Sequence, residues 1–542
     1  MFVHFLYELL TTPHWGPGSY IWAFEKSVNF SITHKGAVIA QKTYFDLYRQ
    51  KEENISLLDQ IKSYEIPAYI DEQVLATHGD SNLSAWLYML KHNYEPLFKW
   101  LESVINEITS AGEIIEAFVL NTPCYSLEKV ALKYNIPLMQ WDDGPMRLPV
   151  YKEFFLFFDF TGVQLAKNEA SQRYHLFQDE MDGTFTKYVL TQKEILALIL
   201  SDDYLCKIED YDQEPSYEWG IALNFDTVYA HAYNNTYLLS EFLYDVMNNI
   251  DITKSLTRSH PADWFTIKNS RWAGSIDESP DSESFILQCR RIVTSWSKTA
   301  FLAMMWGRYV HMIKSSQHAF IEGASQSFDT NKSKLADIAF ISFITFAYFI
   351  PNELLYDIEY LRWRLTKPSE IEIYMRNLSY YLGKIGMDID FFLSIPNTDI
   401  RLDYLLCIRQ YKQKNTYQTQ LEEKVESTEK LLETYDIEIT ELKSTISMLT
   451  DELSKQISNI SVLTEELSSK TSNISVLTEE LSHTSSHITV LKDELSIQNS
   501  SIASLKIETA NLKQRNNDIT SSHSWRITKP LRWFKQIILR WR

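Results

Sequence analysis

Ile292-Val293-Thr294-Ser295-Trp296-Ser297-Lys298-Thr299-Ala300-Phe301-Leu302-Ala303-Met304-Met305-Trp306-Gly307-Arg308-Tyr309-Val310 reads as one strand–helix–strand unit. Arg291–Thr294 has the branched apolar residues of a buried strand, and Thr299–Trp306 is apolar at helical spacing. Gly307 fits the left-handed position that closes a helix, and Tyr309–Ile313 begins a second strand. Ser295, Ser297 and Thr299 stand where strand hands over to helix. Hydroxyls there suit a cap, and free N–H groups with the helix dipole favour an anion.

The same alternation extends outward. Trp219–Phe225 predicts a strand, Leu238–Ile250 a helix, and Ser255–Arg258 a strand running into His260-Pro261. Upstream, Ile114–Leu120 ends in Asn121-Thr122-Pro123, and Pro137–Trp141 ends in Asp142-Asp143-Gly144. Strands alternating with helices predict parallel sheets covered on both faces. One set lies before and one after about residue 200, which predicts two α/β domains facing each other. Residues 331–412 read as helical throughout, and the apolar run Ile338–Ile350 as a buried helix too short to span a bilayer. The aromatic N-terminus, Met1–Leu10, assigns itself to no element and lacks the basic and small-residue flanks of a signal peptide.

Beyond about residue 415 the chain becomes periodic. Ile446, Ile460, Ile474, Ile488 and Ile502 recur every 14 residues, and Leu449, Leu463, Leu477, Leu491 and Leu505 follow the same step. Fourteen is two heptads, so these positions form one seam, with weaker layers at Gln456, Lys470, Thr484 and Gln498. No Pro or Gly interrupts it. The expectation is a coiled-coil rod of roughly 140 Å, and a homo-oligomer to cover its seam. The expected units are 1–200, 201–330, 331–412 (helical), 413–517 (coiled coil) and 518–542 (tail).

Composition limits the function. A formal charge of −19 excludes a nucleic-acid binder for the chain as a whole. Residues 521–542 nevertheless hold six Arg and Lys and no acid. Within residues 525–542, Leu531, Phe534, Ile538 and Trp541 fall at helical spacing among Arg532, Lys535 and Arg542, which predicts an amphipathic helix at the inner membrane surface or on an assembly partner. Cys124, Cys206, Cys289 and Cys407 are scattered, as in a reducing compartment. The expected location is therefore cytoplasmic, peripheral at the inner face of the cell membrane.

Ligands of open α/β sheets bind beyond the carboxyl ends of the strands. In the second domain that places Asn224-Phe225-Asp226, Arg258-Ser259-His260-Pro261 and the Ser295–Thr299 loop together. A phosphate held between the loop and Arg258 or His260 is physically reasonable. Glu153 reads as a strand-start residue, and His231, His311 and His318 as structural.

The run Ile292–Val310, the segment Arg258–Pro261 and the stretch Gln140-Trp141-Asp142-Asp143-Gly144-Pro145-Met146-Arg147-Leu148-Pro149 resemble segments of glycosyltransferase family 99 and related capsule Kdo transferases. The resemblance covers roughly residues 110–315. It implies a GT-B-like pair of Rossmann-like domains and a retaining transferase using CMP-Kdo, with no metal and no cofactor beyond the CMP-sugar donor. It implies that Asp226 is the nucleophile, Asp142 an acid/base or acceptor-orienting carboxylate beside Asp143, and His260 a phosphate ligand. Ser295, Ser297 and Thr299 would hold CMP. Two departures stand out: Asn224 replaces the family's Gln, and Arg258 its Lys. The acceptor would be a surface polysaccharide or glycolipid. Two alternatives remain open: an inverting CMP-sialic-acid-type transferase, and an inactive scaffold whose rod measures polysaccharide chains.

Overall fold

The computed structural model describes residues 1–8, 20–121, 123–162, 169–181, 188–224, 239–260, 272–313, 318–395, 398–466 and 472–521. The chain divides into two compact units, Met1–Leu406 and Cys407–Arg542.

Among the described residues the first unit holds two sheets. The larger contains β1 (Phe2–Leu6), β2 (Ala37–Gln41), β3 (Lys62–Ile66), β4 (Ala117–Leu120), β5 (Leu138–Asp143) and β6 (Phe155–Asp159). The smaller contains β7 (Tyr217–Ala222), β8 (Ser255–Arg258), β9 (Ser275–Ile276), β10 (Cys289–Thr294) and β11 (Tyr309–Met312). β12 (Phe349–Pro351) returns to the larger sheet. The orders are β12-β6-β5-β4-β1-β2-β3 and β11-β10-β7-β8-β9. All pairings are parallel except β5 with β6 and β6 with β12.

β1 comes from the N-terminus that the sequence left unassigned. All five of its residues are buried, so it has no polar alternation to betray it. His4 sits within it, 4.9 Å from the Phe30 ring and stacked on Tyr356 at 5.8 Å. Burial pushes its imidazole down to about 3, so it serves as a neutral core residue. One face of the sheet is covered by the helix Glu95–Ser110, which buries Leu97, Leu101, Val104, Ile105 and Ile108 at three- and four-residue steps. Each such side chain contributes roughly 1.5–3 kcal/mol by leaving water. On the other face, Phe24 and Val28 of the helix Ile21–His34 pack with Tyr360 and Leu361.

Residues 331–412 are not helical throughout. The run Ile338–Ile350 is helical through Phe343, widens into a π turn over Ile344–Tyr348, and then enters β12. β12 lies at the sheet's edge, where Pro351 costs no ladder bond. Its region therefore completes the first sheet and is no separate helical body.

In the smaller sheet Gly220 lies on β7, between β10 and β8. A Cβ there would stand 2.5 Å from Ile292 Cδ1 and 2.7 Å from Cys289 Sγ. Gly220→Ala is therefore expected to lower unfolding free energy by about 1–3 kcal/mol in urea titration, with an unchanged m-value.

Among the described residues the second unit consists of two long helices. Thr398–Glu466 begins in the first unit and carries on into the second, where Ser472–Ser521 follows it. The least exposed positions are 425, 428, 432, 435, 439, 442, 446, 449, 453 and 456 in the first helix, and 481 to 509 by the same alternating steps in the second. Lys424 pairs with Glu508 at 3.4 Å, joining the early part of one helix to the late part of the other. The helices thus run antiparallel. The expected uninterrupted rod is a helical hairpin, in which the described parts of the seam face the chain's own return helix. The spacing that reveals a seam carries no information about whether its cover comes from the same chain. Residues 525–542 lie outside the described residues. Among the described residues no helix is long and apolar enough to cross a membrane.

Candidate active site

β7 is flanked by β8 and β10, with Ile221 opposite both Thr257 and Val293. Asn224, His260 and Ser295 therefore leave the sheet at one carboxyl edge, as the strand order requires. Asp226 lies outside the described residues.

Asn224 is buried, and its role is specific. With its amide oxygen turned toward the loop, it accepts from Ser295 Oγ at 3.1 Å, Trp296 N at 3.0 Å and Ser297 N at 3.0 Å. Thr299 N donates to Ser297 Oγ at 3.2 Å, and the Ser297 and Thr299 hydroxyls lie 3.0 Å apart. This corrects the expectation of free amides at the start of the helix Thr299–Met305. The amides of residues 296 and 297 already have an acceptor in the buried Asn on the adjacent strand end, and the amide of residue 299 has one in Ser297 Oγ. Asn224 is a positioning residue for the hydroxyl loop.

Arg258 is also engaged. Its guanidinium donates to the Asp277 carboxylate and to Ser279 O. The loop's own cation is Lys298, which no pattern in the sequence marks out. Its ammonium donates to the Asp143 carbonyl, lies 3.8 Å from Asp142 Oδ2 and sits 5.6 Å above the Phe157 ring. Burial lowers its pKa, while Asp142 pulls the other way. The contact joins a loop of the smaller sheet to the end of β5 in the larger one.

Asp142 and Asp143 are not in a turn. They end β5, in register with Phe157 and Leu156 of β6. Asp143 N donates to Asp142 Oδ1 at 2.7 Å, and Arg147 stands 3.6 Å from Asp143 Oδ2. Asp143 Oδ1 is buried with no hydrogen-bond partner among the described residues. Burial pushes Asp142 up to about 6; Lys298 opposes this and the charge of Asp143 adds to it.

Glu8, two residues past β1, is a further carboxyl at this edge that the sequence did not disclose. Tyr44 Oη donates to its Oε2 at 3.3 Å, and its N–H donates to Gln41 Oε1 at 2.7 Å. Burial pushes it up to about 7; Tyr44 counteracts, while Asp143 and Asp142 raise it further. Two carboxyls able to change charge near neutrality thus share an edge with a lysine from the opposite sheet, an arrangement suited to moving a proton beside an anionic leaving group.

Glu153, by contrast, accepts from Tyr380 Oη at 3.1 Å, in line with its structural reading. His311 is buried between Ser327 O at 2.6 Å and Ser333 Oγ at 3.0 Å. His318 is buried, accepts from Phe320 N at 3.2 Å, and is pushed down to about 3. His231 lies outside the described residues.

Residues 52–168, which include β3 through β6 and both aspartates, match the Glycosyltransferase 99 family N-terminal domain. Among solved structures the chain is similar to the beta Kdo 2,7 transferase KpsC of Thermosulfurimonas dismutans, with 12% identity over 46% of this chain and 82% of that one and a TM-score of 0.33. It is similar to the spinosyn rhamnosyltransferase SpnG, with 8% identity over 70% and 96% of the two chains and a TM-score of 0.26. It also matches the UDP-GlcNAc 2-epimerase of Methanocaldococcus jannaschii, with 13% identity over 60% and 88% and a TM-score of 0.24. No curated protein matches the chain.

Proposed function

We propose, from the match of residues 52–168 to the Glycosyltransferase 99 family N-terminal domain, that the protein is a GT-B glycosyltransferase that moves a Kdo-like ulosonic acid from CMP to a glycan or glycolipid acceptor. The observation that carries the reading is the contact of Lys298 with Asp142 and Asp143 across the two sheets. It sets a cation of the hydroxyl loop beside a carboxyl poised near neutrality.

In this reading the smaller sheet takes the nucleotide. Ser295, Ser297 and Thr299, held in place by Asn224, face the CMP, with His260 and Lys298 offsetting the charge of the phosphate as it departs. Arg258 acts through its pairing with Asp277. Asp226 attacks the anomeric carbon and CMP leaves, giving a glycosyl ester with retention after the second displacement. In that second step Asp142 takes the acceptor hydroxyl proton as the oxygen displaces Asp226. Asp143 orients Lys298. The hairpin would carry any self-association, and residues 525–542 would contact the inner membrane face.

CMP release from CMP-Kdo tests the proposal. Release is expected with the wild-type protein and is expected to fall by about a thousandfold or more in Asp226→Asn, with a sugar adduct on Asp226 detectable by mass spectrometry in the wild type. Undiminished release from the Asn variant, or an inverted product, would remove the covalent route.

A further inference from the structure

An aromatic ledge flanks the Asp142–Asp143 edge. The helix Ile21–His34 follows β1, so its first turn lies at the same carboxyl edge of the larger sheet. Trp22 from that turn stands 5.6 Å from the Trp141 ring and 5.8 Å from Phe154, and Tyr20 stands 5.8 Å from Trp141. Trp141 is buried, whereas Tyr20, Trp22 and Phe154 are only partly so.

The turn from β5 to β6 completes the ledge. Gly144 N donates to Phe155 O at 2.8 Å, and a Cβ at Gly144 would meet that same oxygen at 2.5 Å, so only glycine permits the turn. Its path places Arg147 over Phe154, with the guanidinium carbon 5.4 Å from the ring centre. Arg147 Nε donates to Gly144 O at 3.2 Å, and its other end faces Asp143. The Arg147 side chain remains half exposed.

A partly exposed aromatic surface edged by a guanidinium and a carboxylate has the chemistry of a sugar-binding surface. The apolar C–H face of a pyranose lies on the rings, and the charged groups bond its hydroxyls. We propose that Tyr20, Trp22, Phe154 and Arg147 form the acceptor subsite, on which a terminal pyranose lies flat with a hydroxyl directed at the Asp142–Asp143 end of β5. This rests on the glycosyl-transfer reading for the identity of the reaction, but the binding of a neutral sugar ring stands on the ledge itself.

The test is saturation-transfer NMR on the full chain, with methyl glycosides of galactose, N-acetylglucosamine and rhamnose as probes and calorimetric titration of CMP alongside. Transfer from aromatic protons to at least one glycoside is expected. It should drop about fivefold or more in Trp22→Ala and in Arg147→Ala, the loss of one such contact, and recover in Trp22→Phe. Arg147→Ala, at a half-exposed side chain, keeps the test decisive if Trp22→Ala fails to fold. No transfer with the wild type, or transfer that survives both alanine variants, overturns the subsite. Glycoside binding without CMP binding leaves the ledge standing and removes the CMP-sugar reading instead.

Discussion

Replacing Asp142 by Asn is expected to slow sugar transfer by about a hundred- to ten-thousandfold, the usual contribution of a positioned acid or base, while CMP still binds. Asn keeps the size and the hydrogen-bond acceptor of Asp142 but cannot take up a proton. The wild-type rate should rise with pH through the pKa of the carboxyl, near 6, and level off above it, because the base acts in its ionised form. That limb should vanish in the variant. Stability should move the other way. A carboxyl whose pKa is higher in the fold than in the unfolded chain binds its proton more tightly when folded. The cost of ionising it is absent below about pH 4 and builds as pH rises through 6. Asp142→Asn should therefore melt no lower than wild type at pH 7.5. Kinetics across pH 5–8 with parallel thermal melts check both; an unchanged acid limb in the variant would assign the proton elsewhere, with Glu8 the nearest candidate.

The largest structural effect is expected at Arg173. Its Nε and Nη2 donate to Glu370 at 2.8 and 2.9 Å, Nη2 also donates to Ala347 O at 3.0 Å, and Asp159 lies 3.4 Å from Nη1. All three side chains are buried. The group ties the helix Ala170–Glu180 to β6 and to the helix Glu370–Lys384. Arg173→Met leaves two carboxylates buried without their cation, and should cost about 3–5 kcal/mol in denaturant unfolding. The deficit should shrink as pH is lowered, because the stranded carboxyls are then protonated. Arg173→Met combined with Glu370→Leu should recover part of the loss, which a simple cavity effect would not do.

Most of the smaller sheet was legible in the sequence. Ser255–Arg258 and the left-handed Gly307, with φ of 68°, are where pattern and turn chemistry place them. These elements declare themselves through short branched runs punctuated by Gly, Pro and hydroxyl residues. β1 did not, since a strand buried on both faces looks like any other apolar run. β12 was hidden inside a continuous apolar stretch whose change from helix to strand is set by the partner it pairs with, and that partner is almost 200 residues away in the chain. The site shows the same division. Asp142, Asp143 and Ser295 stand in recognisable segments. The engagement of Arg258 with Asp277, the bracing of the loop by Asn224, and the crossing of Lys298 to the larger sheet depend on tertiary approach. Glu8 sits beside a run with no motif, and only the strand order β5-β4-β1 brings it to the same edge as Asp142.

The fourteen-residue period of the long arm acquires a different meaning once the arm doubles back. Removing one such block from each leg leaves every remaining layer in phase with the layer facing it, whereas removing a block from one leg alone misaligns the ends. Arm length is thus adjustable in discrete paired steps without redesigning a single contact, so versions of different reach would share one packing code.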